Sequence, residues 1–164
     1  MTKLMPKFEQ HRTDFAYCQT ITKRSSSAFY TAFSQLPLER AWSIYAVYAF
    51  CRTADDLVDV DHDIDGLMAL RQSLTTFANG HVPDHPMWRA LAVVFETYDM
   101  NLDVFFDMLT GQEQDATFKQ PQTQQALEDY CYYVAGSVGL MILPMLATNP
   151  QSLVKPAVEL GIAM

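Results

Sequence analysis

Apolar residues recur along this chain at three- and four-residue steps, the repeat of an amphipathic helix, and no stretch alternates apolar and polar positions as a half-buried strand would. In the segment 87–110, Trp88, Leu91, Phe95, Leu102, Phe105, Phe106 and Leu109 follow that repeat and form a core stripe. Glu96, Asp99, Asp103 and Asp107 recur beside it and read as a solvated face. Turn-forming residues punctuate the pattern at Leu36-Pro37, at Asn79-Gly80 through Pro86, from Gly111 to Gln122, and at Asn149-Pro150. The spacing therefore predicts helices over 12–34, 38–60, 64–78, 87–110, 123–147 and 151–164, an all-α fold in a single domain over 1–164.

The run Tyr132 to Ala147 carries no charge for sixteen residues but is interrupted by Gly136, Gly139 and Pro144. A bilayer span needs about 20 apolar residues, so this run is expected to be a buried helix. The N-terminal MTKLMPKFEQHRTDF has no apolar core of a secretory signal. Cys18, Cys51 and Cys131 sit in apolar or aromatic surroundings without CxxC pairing, which fits reduced thiols and a cytoplasmic location.

Composition narrows the function. With 49% hydrophobic and 18% charged residues, the 164-residue chain has ample material for a core. Nineteen acids against eleven Lys and Arg give a net charge of −8, which argues against binding a nucleic-acid backbone. No Gly-rich phosphate loop supports a nucleotide or pterin site. The acids are unevenly spread: Asp55, Asp56, Asp59, Asp61, Asp63 and Asp65 place six of the nineteen within eleven residues.

Those acids begin on the helix of residues 40–60. Tyr48, Arg52, Asp55 and Asp59 are separated by four, three and four residues, and at about 100° per residue they share one stripe. The rest of the segment is strongly apolar, with Trp42, Ile44, Tyr45, Val47, Phe50 and Cys51, so the charged stripe must face solvent or a polar cavity. Two carboxylates one turn apart repel, and more so when desolvated, which calls for a cation between them. Three readings are open: a solvated helix end running into an acidic loop, a calcium loop, or a magnesium–diphosphate site. Asp61, Asp63, Asp65 and Gly66 match the start of a DxDxDG loop, but Gln72 stands where that loop needs a bidentate carboxylate. In the magnesium reading, Asp55 and Asp59 hold Mg²⁺ that bridges to phosphate oxygens, and Arg52 pairs the phosphate directly.

The segment YAVYAFCRTADDLVD, residues 45–59, resembles the first aspartate-rich motif of the squalene and phytoene synthase family, the head-to-head prenyl synthases. DYCYYVAGSVGLMILPML, residues 129–146, resembles the family's YCYxVAGxVG block, and GQEQD, Gly111 to Asp115, its G-x-x-x-D turn. KRSSSAFYTAFSQLP, residues 23–37, is similar to the flap before the first motif, and PAVELGIAM to the start of the helix leading to a second one. Within the family the chain is most similar to bacterial dehydrosqualene (4,4'-diapophytoene) synthases.

The resemblance implies a class I isoprenoid-synthase-type helical fold. It also implies condensation of two farnesyl diphosphates, through a presqualene-diphosphate-type intermediate, to dehydrosqualene in carotenoid biosynthesis, with phytoene formation from geranylgeranyl diphosphate as the alternative. It assigns Asp55 and Asp59, supported by Asp56, to Mg²⁺ (or Mn²⁺), Arg52 to diphosphate, and Tyr48 and Tyr130 to the reacting allylic carbons, where an aromatic face stabilises a cation. Ser26 would contact phosphate, Phe29 and Phe33 would line the flap, and Val134, Ala135, Val138, Gly139, Ile142 and Leu146 would line the hydrocarbon channel. Ala28 stands where many members carry Ser or Thr, so that phosphate contact falls to Ser27 or is absent. Without the resemblance, the small residues at 135, 136, 137 and 139 would read as a surface for close helix packing. Asp61, Asp63 and Asp65 are left as a solvated loop, and no nicotinamide site for NADPH is displayed.

Family members also carry a second aspartate motif beyond the position equivalent to Met164. The expectation is therefore a partial synthase domain, inactive alone, with peripheral membrane association allowed for product release. A non-catalytic magnesium–diphosphate module and an assembly subunit of a split enzyme, with an apolar edge near 157–164, are the alternatives from other classes.

Overall fold

The computed structural model describes residues 4–163, and these are helical almost throughout, without strands. The elements are α1 (Pro6–Gln10), α2 (Arg12–Ser25), α3 (Ser27–Phe33), α4 (Leu38–Asp59), α5 (Ile64–Ala78), α6 (Pro86–Thr97) and α7 (Leu102–Ala116), followed by α8 (Gln124–Cys131), a π-helical segment (Tyr132–Gly136), α9 (Ser137–Leu146), a short 3₁₀ turn (Pro150–Leu153) and α10 (Val154–Ala163). Met164, the last residue of the expected sixth helix, lies outside the described residues.

Helix α4 is the axis of the fold. It packs against α2, α3, α5, α6, α7 and α9, and its apolar residues from Ala41 to Val58 are buried on nearly every side. A helix that is apolar almost all round finds its place at the centre, because only there can every face leave water. Aromatic contacts knit the surrounding helices to it: Phe15 stacks on Trp42 at 5.4 Å between ring centroids, and Phe50 meets Phe105 edge-on at 5.2 Å.

The predicted α4 and α5 boundaries hold within a residue, and three others shift for local reasons. The expected helix 12–34 breaks at Ser26, whose backbone is extended and whose hydroxyl accepts the Phe29 N–H to start α3 afresh. The expected helix 87–110 is two helices. Tyr98 leaves α6 in an extended conformation, and the Asn101 side chain accepts the Asp103 N–H to open α7. The stripe still serves one core, since Trp88, Leu91, Phe105 and Leu109 are all buried.

The third shift concerns Gly111 to Asp115, which is not a turn: α7 runs through it to Ala116. Gly111 lies against the next helix, where a Cβ would come within 2.9 Å of the Tyr133 carbonyl, so this glycine serves close packing rather than chain reversal. One turn earlier, Asp107 is half-buried and accepts a hydrogen bond from the Tyr132 hydroxyl at 2.6 Å, which takes it off the expected solvated face. Asp99 and Asp103 are exposed, and Glu96, also exposed, pairs with Lys7 at 2.5 Å.

The run Tyr132 to Ala147 is helical as far as Leu146 but only partly buried. Gly136, Ser137, Met141 and Met145 face the core, while Leu146 is 41% exposed. Because α8, the π segment and α9 join end to end, Gln124–Leu146 is by length and composition long enough and apolar enough to cross a membrane.

Candidate functional site

The stripe on α4 supplies the polar groups. The Arg52 guanidinium ion-pairs with Asp56 one turn on, and its Nε is buried without a partner. This pair removes Asp56 from the free carboxylates and holds the Arg52 charge beside Asp55 and Tyr48. Asp55 is half-buried, and its Oδ1 accepts a hydrogen bond at 2.5 Å from the Gln112 amide of α7. Burial pushes the Asp55 carboxyl up to about 6; Arg52 and the Gln112 bond pull it down, while Asp59 and Asp56 push it further up. Asp59 is exposed at the last turn of α4.

An acid held that high, with a second carboxylate one turn away, is an electrostatic vacancy that a hard cation fits. Among the described residues no three His, Cys, Asp or Glu side chains converge into a closed metal cage. The Asp55 and Asp59 pair suits the other kind of magnesium site, in which one or two carboxylates hold an ion that keeps its waters and takes phosphate oxygens. The loop beyond is different. Asp63 accepts the Gly66 N–H and so caps α5, and Asp61 and Asp65 are exposed, as a solvated helix-start loop should be.

An apolar cleft of about 170 Å³ opens beside Asp55. Its lining brings together Phe29, Tyr48 and Asp55 with Val134, Val138 and Ile142, all singled out in the sequence, and adds Val47, Cys51 and Met108. Phe29 lies 4.7 Å from Tyr48 and 4.4 Å from Phe33 between ring centroids, so the α3 aromatics continue the cleft wall. Burial raises the Tyr48 phenol above its usual range, Arg52 pulls it down, and Asp55 and Asp56 push it up; the hydroxyl stays protonated at neutral pH. Burial likewise pushes the Cys51 thiol far up, and the sulfur sits 3.7 Å from that of Met141, so it is an apolar wall residue.

Several expected lining residues lie elsewhere. Ser26 is the cap of α3, which ties its hydroxyl to the Phe29 backbone. Ala135 and Gly139 face α10: a Cβ on Gly161 would come within 3.1 Å of the Ala135 carbonyl carbon, and one on Gly139 would meet the Ala157 oxygen at 3.5 Å. Leu146 is at the exposed end of α9, outside the cleft. Tyr130 donates its hydroxyl to Asp115 and packs edge-on against Phe118 at 5.8 Å in a separate open depression. The bond to Asp115 pushes its phenol up to about 12, with burial second, and the Asp59 charge also reaches it. It thus flanks the acidic end of α4 rather than the cleft.

Met108 and Gln112 are the residues that sequence reasoning missed. They lie one turn apart on α7, three and seven residues after Phe105, and extending the core stripe past Gly111 would have included both.

Comparison with known proteins gives these residues a context. The family model for squalene/phytoene synthase matches residues 22–164. The 4,4'-diapophytoene synthase of Staphylococcus haemolyticus (strain JCSC1435) is 35% identical over 145 residues, covering 84% of this chain and 50% of that protein. A crystal structure of a dehydrosqualene synthase in complex with ligand superimposes with a TM-score of 0.93 at 57% identity, over 96% of this chain and 56% of the other. The squalene synthase HpnC from Alicyclobacillus acidocaldarius superimposes with a TM-score of 0.80 at 26% identity, over 94% of this chain and 59% of the other. The chain spans about half the length of the curated relatives it matches.

Proposed function

Because this chain belongs to the squalene/phytoene synthase family, we propose that it forms one wall of a prenyltransferase site that joins two farnesyl diphosphates head to head to give dehydrosqualene. The observation that carries the reading is the junction at Asp55, where a carboxylate held near the limit of its charged state borders an apolar cleft roofed by Phe29 and Tyr48. Such a junction suits a substrate with an anionic head and a long hydrocarbon tail.

In this reading the allylic C–O bond of one substrate breaks, the electron pair leaves with diphosphate, and a carbocation remains on the hydrocarbon. Mg²⁺ at Asp55 and Asp59 would supply positive charge to the departing diphosphate. Arg52 adds a second positive group on the same helix face, with its unpartnered Nε available to a phosphate oxygen. The rings of Tyr48 and Phe29 offer π faces to the cation, and Val134, Val138 and Ile142 exclude the water that would quench it. The farnesyl over the geranylgeranyl substrate is supported by the likeness to 4,4'-diapophytoene and dehydrosqualene synthases.

The test is incubation of the purified chain with Mg²⁺ and a non-ionisable thio analogue of farnesyl diphosphate, in parallel with labelled farnesyl diphosphate. Binding that is lost in Asp55→Ala and Asp59→Ala, without product, is the expected result for a chain spanning half of its relatives. Binding indifferent to both substitutions would overturn the site.

A second reading, a subunit that assembles with another chain, is supported by the apolar exposure of Leu153, Val154 and Leu160. A stable, monodisperse monomer in sedimentation would count against it.

A further inference from the structure

We infer that Gln112 is a positioning residue for Asp55: it holds one carboxylate oxygen so that the other is presented to a divalent cation. The inference rests on the reading of Asp55 as a cation ligand. It goes beyond that reading by naming the group on a different helix that makes the ligand rigid.

Gln112 is only 6% exposed, and a buried amide is retained where its donors are used. Its Nε2 donates to Asp55 Oδ1 at 2.5 Å, across 57 positions of sequence and from α7 to α4. The amide has little freedom to do otherwise, because both flanking residues are fixed. Gly111 is pressed against the Tyr133 backbone, and Glu113 accepts the Arg71 Nε at 2.6 Å from α5. Arg71 also donates to the Thr110 hydroxyl at 3.0 Å, so this turn of α7 is clamped from two sides.

The residue type fits the task. Lysine or arginine at this place would orient Asp55 but also neutralise it, and would compete with a metal ion for the same charge. An apolar residue would leave the half-buried carboxylate free to rotate. A neutral amide donor fixes the geometry and leaves the full negative charge available, which is the usual role of a hydrogen-bond partner behind a metal ligand. The other charged groups near Asp55, namely Arg52, Asp56 and Asp59, all lie on its own helix and cannot hold it relative to α7.

Mn²⁺ serves as the spectroscopic probe, titrated by electron paramagnetic resonance into the purified chain with inorganic diphosphate. Wild type, Gln112→Met and Asp55→Ala are compared. Gln112→Met keeps the volume and removes the donor; it is expected to weaken Mn²⁺ binding about tenfold or more, with an unchanged thermal midpoint. Mn²⁺ binding equal to wild type in Gln112→Met, but lost in Asp55→Ala, would overturn the role of Gln112 and leave the cation site standing. Equal binding in wild type and Asp55→Ala would instead overturn the cation site, and the proposed role with it. A metal-free measurement stands beside these and serves if Gln112→Met does not fold. The side-chain amide resonances of Gln112 should move in Asp55→Ala, and unmoved resonances would overturn the contact itself.

Discussion

Gly161 meets Gly136 backbone to backbone: a Cβ on Gly161 would fall 2.6 Å from the Gly136 Cα. That approach lets α10 lie directly on the π segment, with Gly161 buried although Leu160 beside it is 64% exposed. It also decides what the small residues at 135, 136 and 139 do. They receive a helix, and the cleft is lined by the larger Val134, Val138 and Ile142 on another face.

Gly161→Ala should therefore destabilise the chain by about 1–3 kcal/mol, the usual cost of forcing an extra methyl into a packed contact. Gly139→Ala places its Cβ 3.5 Å from the Ala157 oxygen, an ordinary contact, and should be neutral or gain up to about 1 kcal/mol from helix propensity. Urea unfolding midpoints of the two variants would separate the cases.

The pH dependence of stability should carry the mark of Asp55. Its carboxyl titrates near 6 in the folded chain because of burial, against about 3.9 in an unfolded one. Between these values the folded state binds the extra proton, so stability falls as pH rises from about 4 to about 6 and stays lower above. Asp55→Asn keeps an oxygen for the Gln112 amide and should flatten this slope, with a higher thermal midpoint than wild type at pH 8. Added Mg²⁺ should raise the wild-type midpoint at pH 8 more than at pH 5, because only the ionised carboxylate binds it.

Arg52→Gln removes the Asp56 pair and the cation beside Asp55 together. Since Arg52 pulls the Asp55 carboxyl down, its loss should push that group higher still, which carboxyl carbon NMR would detect. Diphosphate binding should fall by at least about tenfold, in line with the loss of a charge-assisted contact of about 1.5–3 kcal/mol.

Tyr132→Phe deletes the donor to Asp107 and leaves a half-buried carboxylate without that partner. A cost of about 1–2 kcal/mol is expected, measured by thermal unfolding. The same variant should leave Mn²⁺ binding at Asp55 unchanged, because Asp107 lies on the far side of Gly111 from Gln112.

Much of this fold was legible in the chain because its strongest signals are local. The all-apolar flanks of α4 and the Pro37 start mark the central helix, and three- and four-residue spacing alone puts Tyr48, Arg52 and Asp55 on one face. What escaped depended on partners distant in sequence. Gly111 looks like a helix breaker until the Tyr133 backbone is beside it, and Gln112 looks like a surface amide until Asp55 arrives from α4. Ser26 and Asn101 are the converse: each is a good cap, but a cap within an apolar repeat is easily read as one more polar position of a continuous helix. The family likeness pointed to the segment 129–146, and only packing separated its cleft face from its α10 face.

The π segment at Tyr132–Gly136 closes its turns with i→i+5 bonds, so it holds one residue more than an α-helix would over the same path. Removing any single residue there would let the strand of backbone relax to ordinary α geometry, and everything beyond would be rotated by about 100° relative to Tyr130. Val134, Val138 and Ile142 would swing off the cleft without a single side chain having been altered. In this helix the length of the chain is as much a determinant of the site as its letters, and a gap of one in an alignment across 132–136 would mark a differently aimed wall.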